Sequence, residues 1–196
     1  IPDKFYIDNV PFTSQAPKAD WKDERQQDGC EEASAVMVDA WLKSEKKLSK
    51  DEALKRIFVA SDWFLVKTGT FHDAGVEDVV KLLNEHYQIK KVDIIEQPKV
   101  EQLKEIISQN KVILVPTNGR LLGNPNFSGQ GPERHMILLK GYNDKTGEFI
   151  TNDPGTRKGE DYRYAYETVI NANLAYPTGY HEKIDNIEKK MIVIGR

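Results

Sequence analysis

The single cysteine of the chain, Cys30, stands where a thiol could act as a nucleophile. It follows a glycine-containing turn. Beyond it Ala33, Val36, Met37, Ala40 and Trp41 recur at the three-and-four spacing of one helical face. The spacing predicts a helix from about Cys30 to Ser44. Cys30 then lies in the first turn, where unpaired backbone N–H groups and the helix dipole stabilise a thiolate and can donate to an oxyanion. Glu31 and Glu32 suit the positive end of the same helix. As neighbouring anions they also raise a thiol pKa, so activation calls for a cationic histidine partner.

Four histidines are available. His72 lies in a loop of Thr, Phe and Asp and reads as a capping or surface group. His86 falls on a predicted helix next to Tyr87, and His181 in a late polar loop. His135 differs, because it opens an apolar strand directly after a long Gly- and Pro-bearing loop, where a side chain can face a cleft. The segments His135 to Tyr142 and Glu148 to Asp153 read as a hairpin across Asn143 to Gly147. A hairpin centred on Lys145 pairs Asp153 with Ile137 and puts Asp153 and His135 on one face. Such diagonal neighbours lie roughly 7–8 Å apart, and a slip of one residue would separate them. Asp153 is therefore a candidate to orient His135, the relation of an orienting group to a general base.

The elements that must position these groups follow from periodicity and turn chemistry. Phe5 to Phe12 reads as a strand, and Thr13 to Gly29 as turns. Ser49 to Glu52 is a capping box that opens a helix reaching about Trp63. Val76 to Tyr87 and Val100 to about Asn110 are further helices, and Val92 to Ile95 is a short strand. Lys111 to Pro116 is a buried strand. Asn118 to Arg134 is a loop whose length suggests a functional role at a cleft. Tyr162, Tyr164 and Tyr166 alternate on one strand face, a short helix spans about Glu167 to Asn173, and Met191 to Gly195 is a last strand. Helices first and strands later predict an α+β chain. We expect one domain over residues 1–196, with a helical lobe at about 13–110 and a sheet lobe at about 111–196 joined by the N-terminal strand.

Composition narrows the function classes. The 196 residues carry 28 Lys and Arg against 31 Asp and Glu, a net charge of −3, which argues against a nucleic-acid partner. No uninterrupted apolar run exceeds four residues, far short of the ~20 that a membrane-spanning helix needs. One cysteine excludes an intramolecular disulfide framework and a multi-thiolate zinc site. Asp153, Glu160 and Asp161 fit no standard calcium loop, so no metal or other cofactor is expected. The chain opens at Ile1 and not at Met, which points to removal of a preceding segment.

Several stretches together resemble a known family. Val10-Pro11-Phe12-Thr13-Ser14-Gln15, Gly29-Cys30-Glu31 opening a helix, His135 to Tyr142, and Asn152-Asp153-Pro154-Gly155 come in the order seen in bacterial double-glycine leader peptidases and their stand-alone relatives. These are cysteine peptidases of papain-like fold. The resemblance runs from residue 10 to about 155 and implies that fold, with a helical N-terminal lobe and an antiparallel C-terminal sheet. It implies Cys30 as nucleophile, His135 as general base and Asp153 as orienting carboxylate. It also implies a glutamine in the oxyanion hole. Gln15 matches the motif best, while Gln26 and Gln27 lie closer to Cys30. Glu31 departs from the glycine of the transporter-linked members, and the chain has no transporter domain.

The function expected is a thiol hydrolase acting on a peptide or protein substrate. A transglutaminase-like acyl transferase and a binding module with an inactive papain-like cleft are the alternatives. Family habit and the missing Met lean towards an exported bacterial protein, with a cytoplasmic one also compatible. The sequence does not define the oligomeric state.

Overall fold

Residues 112–117 and 135–142 are apolar almost without interruption, and such runs form strands that are covered on both faces. The computed structural model, which describes Ile1–Arg196, places both at the centre of a seven-stranded antiparallel sheet. The strands are β1 (Lys4–Tyr6), β2 (Val92–Glu96), β3 (Val112–Thr117), β4 (His135–Asn143), β5 (Glu148–Asn152), β6 (Tyr162–Ala165) and β7 (Lys190–Ile194). Their order is β2-β7-β3-β4-β5-β6, and β1 also pairs with β4. The helices are α1 (Glu24–Gln27), α2 (Cys30–Leu42), α3 (Lys50–Thr68), α4 (Val76–Lys81), α5 (Val100–Ser108), α6 (Gly119–Leu122) and α7 (Tyr166–Ala172). A π-helical turn, Leu82–His86, continues α4. No helix is long and apolar enough to cross a membrane.

Helix α2 is the pillar of the molecule. Cys30 to Trp41 is buried on every side, so its small residues, Ala33, Ser34, Ala35 and Ala40, let the neighbours approach closely. Helix α3 packs along it through Ala53, Ile57, Ala60 and Phe64. Ser49 caps α3 by accepting from the Glu52 N–H at 3.2 Å, and Gly69 ends it in the left-handed conformation at φ 82°. Helices α2 and α5 both pack on β4 and bury it together with Leu103 and Ile107.

The β4–β5 hairpin carries the detail that matters most for the site. From the turn outward, Asn143 pairs with Glu148, Tyr142 with Phe149 and Gly141 with Ile150. Continued unchanged, that register would put Asp153 opposite Leu138 and on the face away from His135. Lys140 is an extra residue on β4 at this point, a β-bulge, and beyond it Leu139 pairs with Thr151 and Leu138 with Asn152. The bulge restores the register in which Asp153 and His135 share a face. Lys140 is buried, and its Nζ meets Asp161 Oδ1 at 2.6 Å and the Tyr6 hydroxyl at 3.1 Å. The Ile7 N–H takes the Lys140 carbonyl at 2.8 Å.

Some expectations shift. The first strand is only Lys4–Tyr6, because β1 leaves the β4 edge before the Val10-Pro11 stretch, whose proline has no N–H for a ladder. Tyr166 opens α7 and is not on the β6 face with Tyr162 and Tyr164. The strand β2 pairs with β7 and α5 packs on β3 and β4, so both belong with the sheet although they precede residue 111. The 118–134 stretch contains the short helix α6.

Candidate active site

Cys30 is the first residue of α2, and Gly29 is its N-cap. A Cβ at Gly29 would lie 2.4 Å from the Arg25 carbonyl oxygen, so only glycine lets the chain turn there into the helix. Cys30 is 5% exposed. Its Sγ faces the backbone N–H of Met136, the residue after His135, and lies 3.0 Å from Glu31 Oε2. Burial, then the neighbouring Glu31 carboxyl, push the Cys30 thiol well above its ordinary range, against the lowering effect of the Met136 N–H.

His135 opens β4 as predicted and is paired with Asp153, with Nε2 and Oδ1 separated by 2.7 Å. With Nε2 engaged by the carboxylate, Nδ1 is the ring nitrogen left for proton transfer. Both residues are almost wholly buried. The carboxylate is fully subscribed. Oδ1 also accepts from the Gly155 N–H at 2.9 Å, and Oδ2 accepts from Asn124 Nδ2 at 3.2 Å and the Tyr164 hydroxyl at 2.5 Å. Burial acts to raise the pKa of Asp153. The His135 charge and hydrogen bond, with the Tyr164 and Gly155 donors, outweigh it and hold the carboxyl below its usual range. These groups make an Asp–His pair in which the acid stays ionised and the imidazole is oriented.

The long loop reaches the pair, as expected for a loop at a cleft. Asn124 grips Asp153, and the Phe127 ring meets His135 edge-on at 5.3 Å. A Cβ at Gly155 would fall 2.8 Å from His135 Cε1 and 2.9 Å from Phe127 Cε1, so glycine there makes room for the imidazole.

The glutamines divide. Gln15 is buried, and its Nε2 donates to the Gln26 carbonyl at 3.1 Å and the Gln27 carbonyl at 2.7 Å. Its own N–H takes the Pro154 carbonyl at 2.9 Å. Gln15 thus ties the turn before Cys30 to the segment after Asp153. Gln26 is buried with its Oε1 unpaired, whereas Gln27 is exposed.

Four features escaped the sequence reading. Glu31 and Glu32 are buried and not solvated. Burial raises Glu31 to about 7, and Glu32, beside it, well above the usual carboxyl range. Glu31 Oε1 accepts from the Tyr176 hydroxyl at 2.7 Å. Asn124 and Tyr164 were not singled out for Asp153, although the inward alternation of Tyr164 in β6 was a signal. His72 is half-buried, pairs through Nδ1 with Asp28 and lies between Phe71 and Tyr180. No group of three or more His, Cys, Asp or Glu could hold a metal ion. Asp153 is engaged by His135, and Asp161 by Lys140.

A cysteine-led helix docked against an antiparallel sheet that carries the histidine defines the papain-like class of fold. The chain belongs to the Peptidase C39-like family, whose model matches residues 7–182. It is similar in structure to a C39-like peptidase from Bacillus anthracis, with a TM-score of 0.60, 16% identity and 98% of each chain covered. It is also similar to xylellain, a cysteine protease from Xylella fastidiosa, with a TM-score of 0.57 and 13% identity over 99% of this chain and 86% of that one. No curated protein matches the chain in sequence.

Proposed function

We propose that the protein is a cysteine peptidase in which Cys30 is the nucleophile, His135 the general base and Asp153 the group that orients it. The observation that carries this reading is the meeting of two elements. Cys30 opens α2, the helix that packs on β4, and β4 opens on an imidazole fixed by Asp153 at 2.7 Å.

In the reaction, the thiol proton passes to His135 Nδ1 and the sulfur attacks the carbonyl carbon of the scissile amide. The tetrahedral oxyanion is held by the Cys30 backbone N–H, which in the first helical turn has no intrahelical acceptor, and by a glutamine amide. Gln15 is that donor if substrate releases one of its two N–H groups from the turn carbonyls. Gln26 is its rival. The C–N bond breaks as His135 returns the proton to the departing amine. Water, deprotonated by His135, then attacks the thioester and frees the acid and Cys30. The substrate is a peptide or protein.

The test is hydrolysis of a mixed peptide pool, with unfolding followed alongside. Cys30→Ala should abolish hydrolysis while the unfolding midpoint stays near the parent's. His135→Ala should abolish it with a lowered midpoint, because Asp153 loses its buried partner, and iodoacetamide should inactivate the parent. Full activity in Cys30→Ala overturns the reading. A binding module is the second reading, favoured by the raised thiol pKa of Cys30. It predicts peptide binding without turnover, and alkylation below pH 7 no faster than that of free cysteine.

A further inference from the structure

Glu31 follows the nucleophile in sequence, and its two carboxyl oxygens are divided between Cys30 Sγ at 3.0 Å and the Tyr176 hydroxyl at 2.7 Å. Its side chain is almost wholly removed from water. No lysine or arginine pairs with it. The groups that face it are Cys30 and Glu32 on its own helix, Asp73 from the loop before α4, and Tyr176 from the segment after α7. Asp73 is itself paired with Arg134 at 2.9 Å. A carboxyl enclosed in this way and touching a thiol is not a solvated first-turn acid serving the helix dipole.

We infer that Glu31 shares a proton with Cys30 and so decides whether the nucleophile stands as a thiol or a thiolate, with Tyr176 as the positioning residue that holds the carboxyl against the sulfur. The inference rests on Cys30 being the nucleophile. The proton balance gives it a definite sign. When Glu31 is ionised, it accepts from the Cys30 S–H and its charge opposes a second anion on sulfur. When Glu31 is protonated, its O–H donates to a thiolate, and the thiol proton resides on His135. The second state holds one proton more than the first, so raising the pH converts the reactive ion pair into a neutral thiol. Burial holds the Glu31 carboxyl near 7, which places this conversion around neutrality. At higher pH the last proton leaves Sγ and thiolate returns. The peptidase is then one whose thiol is most available on the acid side of neutrality, the reverse of an isolated cysteine.

The experiment follows ultraviolet thiolate absorbance and iodoacetamide alkylation of the full chain against pH, with Cys30→Ala as the blank. In the parent, thiolate absorbance should fall as the pH rises through about 7 before it climbs again in alkali. A monotonic rise overturns the inference without any variant. Glu31→Gln removes the anion and keeps an N–H donor for the sulfur. It should alkylate at least about ten-fold faster than the parent at pH 8 and within about three-fold at pH 5.5. Tyr176→Phe removes a hydrogen bond that favours the ionised carboxyl, so the fall should move to higher pH, an effect that loss of packing alone would not produce. Parent-like profiles in both variants overturn the inference. If Cys30→Ala retains full hydrolysis, the reading of Cys30 as nucleophile fails instead.

Discussion

The Tyr164 hydroxyl donates to Asp153 Oδ2 at 2.5 Å, opposite the oxygen that holds His135. The tyrosine comes from β6, the strand on the far side of β5, and Asn124 closes the same oxygen from the loop after β3. Three separate stretches of chain therefore fix one carboxylate, and through it the imidazole. Tyr164→Phe should lower kcat on a peptide substrate about 10–100-fold with KM nearly unchanged, because the His135 orientation loosens. It should also cost about 1.5–3 kcal/mol of stability, the range for a hydrogen bond to a charged group. Losing the donor raises the Asp153 pKa, so the acid limb of the kcat profile should move to higher pH. An unchanged pH profile would mean that the tyrosine is only packing.

The two buried glutamines can be separated by mutation. Replacing the oxyanion donor by Ala should cost on the order of 10²–10³ in kcat. Gln15→Ala should also loosen the turn before Cys30, because its amide binds two carbonyls there, and so should lower the unfolding midpoint. Gln26→Ala removes an amide that makes no bond to that turn. If neither variant loses turnover, Gln15 and Gln26 are both ruled out as the donor, and if Gln27→Ala also keeps full turnover, so is a glutamine side chain.

Lys140 offers a test of register. Deleting it joins Leu139 directly to Gly141 in a regular ladder that still sets Ile137 opposite Asp153, so His135 and Asp153 should keep one face and hydrolysis should survive wherever the chain folds. Lys140→Met keeps the residue count and the bulge and should retain activity. Asp161→Ala should be the more damaging of the point changes to stability, because it leaves the buried ammonium with only the Tyr6 hydroxyl. Chemical denaturation of the three proteins, with activity measured in parallel, decides this.

Glu32 concerns stability and pH. Its folded pKa is raised above the ordinary carboxyl value, first by burial and then by Glu31. The folded chain therefore holds a proton that the unfolded chain releases, and stability falls as the pH rises above the unfolded value of about 4.3. Glu32→Gln removes that titration. It should raise the melting temperature at pH 8 relative to the parent, by about 2–4 °C for each kcal/mol recovered, and bring less gain at pH 5. Asp153 acts in the opposite sense. Its lowered pKa contributes stability above its unfolded value that is lost as the pH falls through the folded one. Melting curves from pH 4 to 9 read both slopes.

Much of this was legible in the residues themselves. Helical spacing after Cys30, the capping box at Ser49 and the apolar run of β4 are local signals, because each reflects how a short stretch satisfies its own backbone and buries one face. Turn chemistry put His135 and Asp153 on a hairpin, and the order of motifs pointed to the family. The tertiary structure decided what depends on groups far apart in the chain. The bulge at Lys140 that restores the Asp153 face is held by Asp161 and Tyr6. The burial of Glu31 depends on Tyr176, 145 residues away. The carboxylate's remaining oxygen is filled by Asn124 and Tyr164. A charged residue in a first helical turn has the same sequence signature whether water or another segment covers it. Only packing fixes its solvation, and solvation sets the protonation on which the thiol depends.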